Sequence, residues 1–444
     1  MSPEIITIIA LAAMFVVATV LPVNMGALAF VAAFLVGTLA LGMDTDSIIG
    51  AFPGDLFLIL VGVTYLFAIA QNNGTVDLLV RSAVRLVGGR IAAIPWVMFA
   101  ITALLTAVGA LSPAAVAIIA PIALGFAARY GINPLLMGMM VVHGAQGGGF
   151  SPISIYGATV NGIVAGTDLP AGPLTLFLSS LLFNIGISVL LFFSLGGRSL
   201  IGRHARDHDE VHVGEHSDDA ERLAVRGHGS SAYKAEEPGS GETPRGLRFD
   251  QIATLIGLLL LGVLSLGFDL DIGFVAITVA VVLAVLSPKA QKGAINKISW
   301  STVLLLGGML TFVGVMEEAG TIEYVGDSVA GLGAPMLVAL LLCYIGAIVS
   351  AFASSTAILG VTIPLAVPFL LAGDVSAVGM IAALSVASTI VDVSPFSTNG
   401  ALVLANAKGV DPDRFYRQIL AYSGVVVLIG PLVAWAVLAA PGWL

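Results

Sequence analysis

Charge is what this sequence has least of: Asp, Glu, Lys and Arg together make up 10% of its 444 residues, against roughly a quarter in a soluble globular chain. That deficit excludes an ordinary soluble domain. Basic residues are outnumbered 18 to 27, leaving a net charge of -9, so there is no basic footprint able to neutralise phosphates and nucleic acid is excluded as a partner. Cysteine is confined to Cys343, which rules out an intrachain disulfide framework. Short runs of alternating polar and apolar residues are missing as well, which excludes a membrane β-barrel. What is abundant is apolar surface: 58% of residues are hydrophobic, the mean hydropathy is +1.04, and glycine and proline reach 52 and 20. Apolar runs of about 20 residues recur, the pattern of an all-α polytopic membrane protein whose solvent partner is the lipid bilayer. The N-terminus, MSPEIITIIALAAMFVVATVL, lacks the basic region and small-residue cleavage site of a secretory signal and reads as the first span.

The charges that exist are clustered. Between Arg198 and Asp250 lie 8 basic and 11 acidic residues, which divides the chain into a first unit of residues 1–197, a polar linker of 198–250 and a second unit of 251–444. In the first unit the apolar stretches fall near 5–21, 26–41, 56–70, 91–128, 134–165 and 174–195. The fourth is far too long for one span and is interrupted at Leu111-Ser112-Pro113, as expected of a re-entrant hairpin; the fifth is broken by GGGFSPISIYG at 147–157. The second unit repeats this order, with an overlong stretch at 335–371 and a broken one at 375–405. Residues repeat too: Asn73-Gly74-Thr75-Val76-Asp77 aligns with Ala319-Gly320-Thr321-Ile322-Glu323, Pro121 with Pro364, and SPISIYGA (151–158) with SPFSTNGA (394–401). Two copies of about five spans plus one hairpin are the expectation.

An odd number of spans per copy makes the two copies inverted. Charge agrees, because Arg81, Arg85 and Arg90 follow the third span of the first copy while Glu317, Glu318, Glu323 and Asp327 follow that of the second. With the linker placed in the cytoplasm, all basic residues outside it fall on the cytoplasmic side: Arg81, Arg85, Arg90, Arg129, Lys289, Lys292, Lys297, Lys408, Arg414 and Arg417. Both termini are then expected outside.

Inverted copies with a hairpin and a broken helix each are the build of a secondary transporter that binds its cargo near the midplane, since irregular backbone at membrane depth is tolerated only where it lines a cavity or is buried in protein. Hydroxyl and amide residues gather at these interruptions. Ser112 at one hairpin turn, Ser355 and Thr356 at the other, Ser151 and Ser154 in one broken helix, and Ser397, Thr398 and Asn399 in the other are the candidate substrate-binding residues. No Lys or Arg sits inside a span, so an anion would be held by hydroxyls, helix N-termini and a co-bound cation. Asp392, two residues before the second break, is an intramembrane carboxylate and a candidate for cation or proton coupling; Ser354, Ser394 and His143 complete that set. Asn184 reads as a group joining helices, and Gln146 as one bonding backbone. In the linker, His204, His208, His212 and His216 recur every fourth residue and would form one metal-binding helix face, but Gly214 and the surrounding composition favour a solvated linker. No paired carboxylates or activated nucleophile support an enzyme.

On these residues the chain resembles the MatC-type malonate or dicarboxylate carriers of the ion transporter superfamily, most strongly from Phe52 to Gly162, and more distantly the divalent anion:sodium symporters. In the symporters a Ser-Asn-Thr motif at each hairpin tip precedes a proline by ten residues. Ser354-Ser355-Thr356 before Pro364 resembles the second such tip, whereas Leu111-Ser112-Pro113 before Pro121 departs from it. Ser151-Pro152-Ile153-Ser154 and Ser394-Pro395-Phe396-Ser397-Thr398-Asn399 are similar to the broken-helix turns. The resemblance implies a homodimeric, elevator-type carrier of a small organic dianion such as malonate or succinate, in a bacterial inner membrane, with no cofactor beyond a co-transported Na⁺ or H⁺. A cation/proton antiporter on the same scaffold is the alternative.

Overall fold

The structure is a computed structural model that describes residues 2–21, 23–86, 90–203, 248–268, 270–330, 335–351, 355–371, 375–407 and 410–442. Ser354 and the linker histidines His204, His208, His212 and His216 lie outside the described residues. Among the described residues the fold is all helical. The longer helices before the linker are α1 (Pro3–Val20), α2 (Met25–Leu35), α3 (Gly54–Asn72), α4 (Thr75–Leu86), α5 (Ile94–Ala107), α6 (Ser112–Tyr130), α7 (Pro134–Gly148), α8 (Ile155–Ala165) and α9 (Pro173–Ser194). After it follow α10 (Phe249–Gly267), α11 (Ile272–Leu286), α12 (Trp300–Glu318), α13 (Thr321–Ala330), α14 (Pro335–Ser350), α15 (Ser355–Leu371), α16 (Ala377–Ile390), α17 (Thr398–Asn406) and α18 (Pro412–Ala434).

Helix boundaries keep step across the linker. Gly54 and Trp300 open α3 and α12 at a separation of 246, and Ser112 and Ser355 open α6 and α15 at 243, as do Ile155 and Thr398 for α8 and α17. Each overlong apolar run resolves into two helices: 91–128 becomes α5 and α6, 134–165 becomes α7 and α8, and the later runs divide likewise. Among the described residues, five helices are long and apolar enough to cross a membrane (Gly54–Asn72, Ser112–Tyr130, Pro173–Ser194, Trp300–Glu318 and Pro412–Ala439), and shorter apolar stretches accompany them. Outward-facing leucines such as Leu182, Leu190 and Leu428 are exposed, which marks surface suited to lipid rather than water. The chain is an integral membrane protein.

Two helices lie at the centre. Every residue of α7 from Leu135 to Gly148 is buried, as is every residue of α16 from Gly379 to Ile390, the property of a helix that is apolar all round. Around α7 pack α5, α6 and α9, and around α16 pack α14, α15 and α18, while α9 also meets α16. Between units, α8 packs on α15 and α17 on α6, whereas a second cluster forms by crossing where α2 packs on α12 and α11 on α3. Both crossings need glycine. A Cβ on Gly308 of α12 would stand 2.0 Å from the Gly26 carbonyl oxygen of α2, and one on Gly62 of α3 would stand 2.8 Å from that of Gly273 in α11. Small residues of this kind let helix backbones approach where apolar burial gives no net drive. Buried hydroxyls add to the same cluster: Thr7 of α1 bonds Thr321 of α13 at 2.6 Å, and Asn73 donates to Thr254 of α10 at 2.6 Å.

Because backbone oxygen cannot move aside, Gly308→Ala is expected to lower stability by about 1–3 kcal/mol through overpacking, while Gly424→Ala, where a Cβ meets nothing within 4 Å, leaves it unchanged. Unfolding midpoints of the two variants in detergent check this.

Candidate functional site

The site is built on two turns of the same design. After α7, the segment Gly149–Ser154 turns the chain so that Ser154 caps α8: its Oγ accepts from Gly157 N at 3.3 Å and donates to the carbonyls of Ser151 (2.6 Å) or Gly149 (2.5 Å). After α16 the arrangement recurs, with Ser397 Oγ accepting from Gly400 N at 3.4 Å and donating to the Ser394 carbonyl at 2.7 Å. Gly157 and Gly400 are obligatory, since a Cβ on either would lie 2.0 Å from the carbonyl oxygen of Ser151 or Ser394. The cap serine satisfies one helix-terminal N–H and closes the turn on itself. Ser154 and Ser397 therefore shape the site through their own turns.

The turn between α5 and α6 is brought against both. Gly109, at φ +113°, leaves no room for a side chain, because a Cβ there would stand 2.2 Å from Val63; the same position is 3.7 Å from the Ile153 carbonyl oxygen in the first broken turn. Ser112, first residue of α6, reaches the second broken turn: Asn399 Nδ2 donates to Ser112 Oγ at 2.7 Å and to Asp392 Oδ2 at 2.9 Å, and Asn399 N donates to Asp392 Oδ1 at 3.5 Å. Asn399 Oδ1 is left buried without a partner. The opposite crossing packs α15, which begins with Ser355 and Thr356, against α8, which carries Tyr156 beside the first broken turn. Ser355 is occupied by Ser350, which donates to it at 2.9 Å.

Asp392 is thus held by amide donors at the N-terminus of α17, a place that favours negative charge. Chemically the cluster offers a carboxylate, an unpaired amide oxygen, three or more hydroxyls and a phenol, all contributed from both sides of the linker. That is a donor and acceptor set for a small polar ion, with neither a lysine nor an arginine in it. No group of three or more His, Cys, Asp or Glu able to hold a metal ion occurs among the described residues.

The sequence-predicted residues divide into three groups. Ser112, Asp392 and Asn399 share one hydrogen-bond network, Thr356 stands at its edge, and Ser151, Ser154, Ser394 and Ser397 form the two turns. Ser394 Oγ accepts from Phe396 N at 3.1 Å, while Thr398 is exposed beside Phe396. His143 lies elsewhere in α7: its Nδ1–H donates to Asn184 Oδ1 at 2.9 Å, a role fixed because Asn184 Nδ2 itself donates to the Ser180 carbonyl. Nε2 pairs with the Tyr422 hydroxyl at 2.5 Å, accepting from it when the ring is neutral and donating to it when charged. His143 joins α7 to α9 and α18 and makes no hydrogen bond to the Asp392 cluster. Asn184 does join helices, as its sequence context implies. Gln146 departs from the expectation of bonding backbone: both ends of its side-chain amide are buried without a partner, next to His143. Tyr156, Tyr422 and the cap glycines Gly157 and Gly400 complete the site and its support without having stood out individually in the sequence.

Removing the shared donor strands two acceptors at once. Asn399→Ala is expected to cost about 1–3 kcal/mol of stability, and Ser112→Ala, which leaves the Asp392 bond in place, less; thermal unfolding of the purified variants tests the order.

Comparison with known proteins follows this geometry. Residues 1–149 match the family model described as dicarboxylate carrier protein MatC N-terminus, and residues 258–440 match the one described as citrate transporter. The fold is similar to the crystal structure of the Alcanivorax borkumensis YdaH transporter, which has an unusual topology, with a TM-score of 0.57 and 16% identity over 88% of this chain and 89% of that one. At that identity the likeness concerns the fold. No curated protein sequence matches the chain. The chain is a transporter-type membrane protein, similar to MatC-type carriers in its first part and to citrate transporters in its last.

Proposed function

We propose that the protein is a secondary carrier of a small dicarboxylate, malonate- or succinate-like, coupled to Na⁺ or H⁺. The observation that carries this reading is the junction of Ser112, Asn399 and Asp392, where one buried carboxylate sits among groups that otherwise suit an anion. A dianion entering beside an ionised Asp392 meets a like charge in a low-dielectric interior, where the repulsion amounts to several kcal/mol. Binding therefore requires that Asp392 be neutralised by a proton or paired with a cation. The linkage is reciprocal, so the cation favours substrate as much as substrate favours the cation.

The reading includes two inverted repeats, supported by helix starts that recur at separations of 246 and 243 and by swapped pairings: α2 on α12 answers α11 on α3, and α6 on α17 answers α15 on α8. In it, the units containing α5–α9 and α14–α18 carry the site as an elevator against the glycine-packed cluster, in a homodimer in a bacterial inner membrane with both termini outside. The family matches to dicarboxylate and citrate carriers support the cargo class. A cation/proton antiporter is favoured instead by one feature alone, the carboxylate of Asp392, buried as no other is among the described residues.

Ligand-dependent unfolding separates the two. Malonate or succinate at about 100 times its Kd is expected to stabilise the protein by about 2.7 kcal/mol, with Na⁺ or low pH enhancing the effect. Thr356→Ala should weaken diacid binding about tenfold through one lost hydrogen bond. Asp392→Asn should bind with no dependence on Na⁺ or pH. Stabilisation by Na⁺ or H⁺ with none by either acid would replace the carrier reading with the antiporter.

A further inference from the structure

The second residue of each half-helix that restarts after a break is filled differently. In α17 it is Asn399 and in α8 it is Tyr156, 243 positions earlier. Asn399 crosses to Ser112 of the other unit at 2.7 Å, and Tyr156 stands on α8 where it packs against α15, the helix of Thr356, yet the two side chains differ in bulk. The Tyr156 ring packs against Phe150, centroids 5.6 Å apart at 46°, and covers Gly149, where a Cβ would stand 3.1 Å from the ring carbon Cδ2. Asp392 holds the position that matches Gly149. One half of the site thus has an aspartate with a short amide, and the other a glycine with a phenol over it.

Exposure divides these groups by access. Asn399 and Ser154 are 0% and 1% exposed, closed off behind the turns, whereas Tyr156, Thr356, Ser151 and Asp392 retain 6%, 6%, 6% and 7%. Tyr156, Thr356, Ser151 and Asp392 are thus the least deeply enclosed members of the cluster, the ones placed nearest an entering ligand. We infer that Tyr156 is the specificity-determining residue of this site: its hydroxyl donates to one carboxylate of the bound diacid, and its ring limits the length of acid that fits. The assignment rests on the dicarboxylate reading. With no lysine or arginine at the site, a phenolic O–H supplies a charge-assisted hydrogen bond to a carboxylate, and a ring over a glycine is a wall that an asparagine in its place would remove.

Two variants separate the hydroxyl from the ring. Each is compared with wild type for stabilisation by malonate, succinate, glutarate and citrate, titrated singly against the purified full chain. Tyr156→Phe keeps the wall and deletes the donor, so affinity for all of the acids is expected to fall about tenfold with their order preserved. Tyr156→Asn copies the other half of the site, and its preference is expected to move toward glutarate or citrate over malonate by about tenfold. Wild-type binding of a diacid with the same affinities and order in both variants overturns this inference alone. Absence of any acid binding by wild type overturns the dicarboxylate reading and this inference with it.

Discussion

A helix that stops inside a bilayer leaves N–H and C=O groups with no water to take them, and every other feature of this fold is arranged around that constraint. α7 ends after 15 residues and α8 runs for 11, about 22 and 16 Å at 1.5 Å per residue, each short of a hydrocarbon core of about 30 Å. Both interruptions are resolved by one device, a serine that caps the restarting helix while bonding a carbonyl three residues back, and a glycine three residues on that lets that carbonyl approach. Polar backbone is satisfied locally, which leaves side chains such as Asn399, between serine and glycine, to reach the opposite unit.

Those side chains make the site a joint product of both halves of the chain. Asn399 is committed to Ser112 and Asp392, and Tyr156 stands on a helix packed against α15, so each turn is built against residues of the other half of the chain. Buried polar groups of this kind are costly when unpaired, and Asn399 Oδ1 remains so. A network that is nearly but not wholly satisfied, around one carboxylate, is poised to gain from a bound ion. The glycine crossings between α2 and α12 and between α3 and α11 hold together the complementary element, a second closely packed cluster.

Much of this was legible in the residues. The repeated Ser-Pro-x-Ser segments at 151–154 and 394–397 located both broken helices because an N-cap serine has a fixed relation to the helix it starts. Hydropathy found the overlong runs but joined their halves, since a four-residue turn such as 108–111 does not lower a window average. Tyr156 was not legible: its neighbour Thr356 is 200 residues distant, and a tyrosine in an apolar stretch carries no local signal of what it will meet. Gln146 and Tyr422 escaped for the same reason, as their environment is set by how α7, α9 and α18 pack.

The central claim is that a site shared by the two halves moves a dicarboxylate with a coupling cation. Uptake of labelled malonate and succinate into proteoliposomes, with a Na⁺ gradient and a pH gradient imposed separately, tests it most directly. Accumulation of at least one acid is expected, driven by one of the two gradients and abolished when that gradient is collapsed. Na⁺ or H⁺ flux without accumulation of either acid would contradict it.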